Sequence, residues 1–221
     1  MSDHAGVPQV DNALLQNTIG SHNTAVGNDA LMSNTTGFEN TACGGAALVS
    51  NTTGSNNTAS GDLALQANTI GSHDTASGFF ALANNIDGSS NTASGAYALA
   101  NNTFGHNNTA LGYKALYNNS TGTYNLALGL DAGFYLSSGN KNIYLGNTGI
   151  ASESNTMRLG QVVNQTRTFI AGIRGVAVGS SGVQVLINSN GQLGTLVSSA
   201  RYKREFRTCK IVARGSITSA R

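Results

Sequence analysis

Four aromatic side chains offer the clearest binding chemistry in the first two thirds of the chain. Phe79, Phe80, Tyr97 and Tyr113 follow one another at steps set by a 17-residue interval. Rings repeated in this way can form a stripe that contacts a receptor or a sugar, or one that packs between protomers, as aromatic side chains usually do. The histidines are poorer candidates. His22 and His73 share one place in the repeat but stand three rungs apart, roughly 14 Å at about 4.8 Å per rung, which is too far for one metal ion within a chain. They read as exposed turn residues, as do His106, one place earlier in its rung, and His4 in the leader. Cys43 and Cys209 are too few for a disulfide framework and lack zinc-ligand spacing. Gly179-Ser180-Ser181-Gly182 is a turn, since neither a helix nor a lysine follows to make it a phosphate loop. No metal and no cofactor is expected.

The elements that must carry these residues are fixed by self-similarity. Asn-Thr-Ala, or a close variant, starts at 23, 40, 57, 74, 91, 108 and 125, every interval being 17 residues. Counting from that Asn, slot three is Ala and slot five is Gly in all seven copies; Ala-Leu follows at slots eight and nine, Asn at twelve and Gly at fifteen. Alternating side chains followed by Gly turns predict a parallel β-solenoid, with each rung made of two short strands and two turns. Ala, Gly and one Leu per rung predict a thin interior that is completed by association with other chains. The seventeen-residue period and two Gly per rung exclude a helical repeat. Ala13, Leu14, Asn17 and Gly20 fall in phase with a preceding partial rung within residues 1–22, which points to a larger natural precursor. The regular rungs fill 23–139. Residues 140–197 keep strand patterns, at Ile143–Leu145, Phe169–Ile173 and Val183–Ile187, and read as a β-rich neck in which three chains interleave.

Composition narrows the function classes. The 221 residues include 28 Gly, one Pro and no Trp, and 10% are charged against a usual quarter, so solubility rests on Asn, Thr, Ser and Gly. A 39% hydrophobic content with a net charge of +2 excludes a disordered chain. No basic face with interleaved aromatics supports nucleic-acid binding, no apolar run is long enough to insert into a membrane, and no signal peptide is expected at the N-terminus.

The NTAVG, ALxxN and NTTG rungs of residues 6–149 resemble the left-handed parallel β-roll heads of YadA-type trimeric autotransporter adhesins and the similar repeats of phage tail fibres. The run NIYLGNTGIASESNTMRLG at 142–160, followed by FIAGIRGVAV, VQVLINSNGQLGT and SSARYKRE, is similar to the junction before an endosialidase-type intramolecular chaperone. That resemblance implies a homotrimer, and it implies an autocleavage dyad at Ser198 and Lys203, a lysine serving as base for the serine. Residues 198–205 would be the start of the chaperone domain. The pattern is lost after Glu205; restoring one nucleotide there allows a continuation of the family's kind, so 206–221 reads as a frameshifted tail. The expected function is structural and adhesive, in a virion tail fibre or at a cell surface, with a host receptor or glycan as partner and no substrate turnover. Two alternatives differ in kind. One is a self-cleaving tail-fibre precursor inactivated by truncation. The other is an ice-binding β-solenoid, for which Thr24, Thr41, Thr58, Thr75, Thr92 and Thr109 supply one ladder where a paired Thr-x-Thr array is wanted.

Overall fold

The computed structural model describes residues 11–161, 164, 165, 167, 185–187 and 193–195. It contains a β-solenoid whose strands are three residues long: β1 Thr24–Val26, β2 Thr41–Cys43, β3 Thr58–Ser60, β4 Thr75–Ser77, β5 Thr92–Ser94, β6 Thr109–Leu111, β7 Leu126–Leu128, β8 Ile143–Leu145 and β9 Met157–Leu159. The nine form one sheet in sequence order, each parallel to the next and paired like with like, Ala42 against Ala59 and Ala59 against Ala76. Each rung holds one strand where the sequence predicts two. The rest of the rung is turn, and its backbone also bonds from coil to coil: the amides of Leu31, Leu48 and Leu65 donate to the carbonyls of Ala47, Ala64 and Ala81, each at 3.0 Å.

Backbone handedness explains why the second strand does not form. Slots seven, nine and seventeen all lie in the left-handed region, as in Lys114 (φ 54°), Leu82 (φ 52°) and Tyr124 (φ 58°). A left-handed residue reverses the chain and breaks the alternation a strand needs. For a leucine this conformation costs roughly 1–2 kcal/mol, and full burial of its side chain is worth about 1.5–3 kcal/mol. The leucines of slot nine from Leu31 to Leu116 are fully buried, so packing offsets the local strain. Slot five needs glycine for a different reason: Gly61 has φ +138°, and a Cβ there would stand 2.6 Å from the Gly78 carbonyl of the next coil.

The interior is complete within one chain, contrary to the expectation of a core finished by association. Ala of slots three and eight and Leu of slot nine are fully buried in most rungs. Two asparagine ladders fill the remaining space. In slot twelve, the Nδ2 of Asn51, Asn68, Asn85 and Asn102 donates to the Oδ1 of the asparagine one rung back at 2.7–2.9 Å, and also to the slot-fifteen glycine carbonyl of its own rung. In slot one, Oδ1 of each residue accepts the backbone N–H of its successor, as Asn40 does from Asn57 and Asn108 does from Asn125, both at 3.0 Å. Buried amides are tolerated because they find partners.

The coil continues past Gly139. β8 and β9 join the same sheet, the final step shortening from 17 to 14 residues, as the Asn142-to-Thr156 bond records. Two compensating changes join the last full rung to the shortened one. Tyr144 takes the strand position opposite Ala127 and is fully buried, while Gly133 stands where earlier rungs have leucine. A Cβ on Gly133 would meet the Tyr144 ring at 2.8 Å, so the small residue makes room for the large one. Arg158 on β9 closes this end with a 2.7 Å ion pair to Glu153. A separate unit, 168–221, contains an antiparallel pair, β10 Val185–Ile187 with β11 Leu193–Thr195. No helix among the described residues is long and apolar enough to cross a membrane.

Candidate functional site

Slots six, seven, ten and eleven lie outside the interior, and in rungs four to seven they carry rings. Phe79 and Phe80 sit 5.1 Å apart between centroids, and both touch Tyr97, edge-on at 5.4 Å and stacked at 5.7 Å. Tyr97 continues to Tyr113 at 6.1 Å and Tyr117 at 6.3 Å; Tyr117 stacks on Phe134 at 5.6 Å, and Phe134 meets Tyr135 at 5.3 Å. The result is one unbroken ridge of seven rings. Phe79, Tyr113 and Tyr135 are exposed, and the other four are half-buried against their neighbours. Lys114 lies on the ridge with Nζ 5.2 Å from the Tyr113 ring centre and 5.7 Å from that of Tyr117, a cation–π arrangement. Its charge has no carboxylate partner among the described residues, where the ion pair found is Arg158 with Glu153. Such a surface offers flat apolar faces, phenol hydroxyls at their edges and one cation.

The four aromatic residues singled out from sequence are thus brought together. Tyr117, Phe134, Tyr135 and Lys114 belong to the same ridge and were missed. Their signal was the repeat itself, since Tyr117 and Phe134 occupy slot ten in successive rungs.

The outward side of the sheet is a second candidate surface. Strand residues at slots two and four point out while slot three points in. From β2 to β5 the outward pairs are Thr41 with Cys43, Thr58 with Ser60, Thr75 with Ser77 and Thr92 with Ser94. From β6 to β9 they become apolar, and Leu126, Leu128, Ile143, Met157 and Leu159 are all exposed, Met157 by 62%.

The remaining sequence candidates are dispersed. His22 and His73 are exposed turn residues, and His106 accepts the Ser89 backbone N–H on Nδ1 at 2.9 Å. Cys43 is a free, exposed cysteine on β2. No three His, Cys, Asp or Glu side chains among the described residues come together as a metal site. Ser198, Lys203, Cys209, the turn at 179–182 and the segment 206–221 lie outside the described residues. Glu153 is held below the usual carboxylate range: burial acts to raise it, and the hydrogen bonds and charge of Arg158 outweigh that. No family model matches the chain, and comparison with curated proteins and with solved structures likewise finds no match.

Proposed function

We propose that this chain is a structural and adhesive fibre protein, of the tail-fibre or bacterial surface adhesin kind, built from three copies and displayed on a virion or a cell surface. The aromatic ridge is the observation that carries the attachment role. A contiguous apolar surface of this kind on a polar coil marks a contact site, and the rings are held by one another and by the coil, so little ordering is needed on binding. Self-association is supported by the leucine-rich outward face of β6–β9. It is supported also by β10 and β11, where Val185, Ile187 and Leu193 are each more than 60% exposed. The resemblance to trimeric adhesins and tail fibres supplies the number three.

Labelled protein applied to intact bacterial and animal cells and to arrays of surface glycans tests the attachment role. Saturable binding that falls at least tenfold in Tyr97→Ala and Tyr113→Ala is expected. Absence of binding to every surface, or binding indifferent to both substitutions, would refute it.

A second reading, ice binding, draws on the outward hydroxyls of β3–β5. There Thr58 with Ser60, Thr75 with Ser77 and Thr92 with Ser94 form a paired array in register, which the threonine ladder alone did not suggest. Thermal hysteresis lost in Thr75→Leu would support it, and ordinary freezing of a concentrated solution would eliminate it.

A further inference from the structure

The slot-one ladder is asparagine from Asn23 to Asn142 except at one rung, where Asp74 stands fully buried. In the asparagine rungs Nδ2 donates to the slot-fifteen glycine carbonyl: Asn57 to Gly71 and Asn91 to Gly105, each at 2.9 Å. Asp74 has no amide hydrogen to give Gly88. Around it acceptors outnumber hydrogens, because Asn85 Nδ2 faces Asn68 Oδ1 at 2.9 Å, Gly88 carbonyl at 2.7 Å and Asp74 Oδ2 at 3.2 Å with only two N–H bonds to share. The other carboxyl oxygen is occupied, since Oδ1 accepts the Asn91 backbone N–H at 2.7 Å. One proton on Oδ2, given to the Gly88 carbonyl, balances the count and restores the pattern of the neighbouring rungs.

We propose that Asp74 is a proton-dependent latch: the folded coil holds its carboxyl neutral, with Oδ2–H standing in for the missing amide, and loss of that proton loosens the coil at the fourth rung, where Gly88 loses its donor. The groups bonded to it are Asn57 from the third rung, Asn85 from its own and Asn91 from the fifth, with Asn68 and Gly88 sharing the Asn85 amide, none of them titratable or charged. The ionisable residues nearest along the chain, His73, Asp62 and Asp87, are exposed. Burial pushes the carboxyl up from 3.8 to about 7, against the lowering effect of the hydrogen bonds from Asn91 and Asn85. The folded state therefore keeps a proton that the unfolded chain releases near pH 4. Stability is greatest below that pH, declines as pH rises through about 7, and levels off above it. A displacement of this size corresponds to about a thousandfold in the folding equilibrium. The latch requires no ligand and holds whether or not the ridge mediates attachment.

Denaturant unfolding of the full chain and of Asp74→Asn, from pH 4 to 8.5, tests it. The asparagine variant completes the ladder, and relative to it the wild-type folding constant is expected to fall by roughly three-hundredfold between pH 4 and 7. Parallel pH profiles for the two proteins would overturn the proposal. Carbon-detected titration of the Asp74 carboxyl in the folded protein gives an answer independent of reversibility: a midpoint near 7 is expected, and one near 4 would overturn the latch.

Discussion

The sheet of this solenoid has two halves that share a backbone and differ in what they show to the outside. In β2–β5 the outward residues are threonine, serine and Cys43, and in β6–β9 they are mainly leucine, isoleucine and methionine. The inward alanine and the paired register run from β2 through β7 without change. The residues that build the coil and those it presents outward thus occupy separate slots. Slots one, three, five, eight, nine, twelve and fifteen build the coil, and slots two, four, six, seven, ten and eleven are free to vary along it. The ridge follows the same logic on another side, with rings only in rungs four to seven.

The largest expected effect breaks the two halves apart. Leu126→Asp combined with Leu128→Asp places two charges in the apolar half and should convert an associated species into single chains. The matched pair Thr75→Asp and Ser77→Asp should leave association unchanged, and light scattering of both proteins checks this. A smaller effect should be shared by the halves. Leu48→Ala and Leu116→Ala each remove a buried side chain from slot nine and should each cost about 2–5 kcal/mol in denaturant unfolding. Clearly unequal costs would mean that the core is not a uniform repeat. The smallest effect belongs to the shortened end. Replacing Arg158 with Met should cost under about 1 kcal/mol, as for a partly exposed ion pair. Because Glu153 is held below its ordinary range, that wild-type advantage is present near neutral pH and disappears as pH falls through the acid range. Paired melts at pH 7 and pH 3 measure it.

Much of the coil was legible in sequence because a 17-residue period without slippage leaves few ways to stack. The slots of Ala, Leu and Gly carried over directly, and Leu14 and Asn17 join the stack of the leading rung, through the Ala30 carbonyl and the Asn34 amide. What escaped was physical rather than periodic. Asparagine is a surface residue by habit, so the ladders of slots one and twelve look like turns until their partners one rung away are seen. Leucine is a helix and strand former, so nothing in Leu82 alone announces a left-handed backbone. Residues beyond Gly139 read as a different element in sequence because the period changes to 14 residues after Asn142, although Asn142 still accepts the Thr156 amide in the old pattern. Half of the ridge was visible because Phe79, Phe80, Tyr97 and Tyr113 interrupt variable slots. Tyr117 and Phe134 were passed over because they follow directly on the inward residues of slot nine.

On the proposed reading, the apolar outward face of β6–β9 is covered by further copies of the chain. Sedimentation equilibrium of the wild-type protein at low micromolar concentration tests it most directly. A mass of three times the 22.6 kDa chain is predicted. A single-chain mass that persists as the concentration is raised would contradict it, leaving those leucines exposed to water.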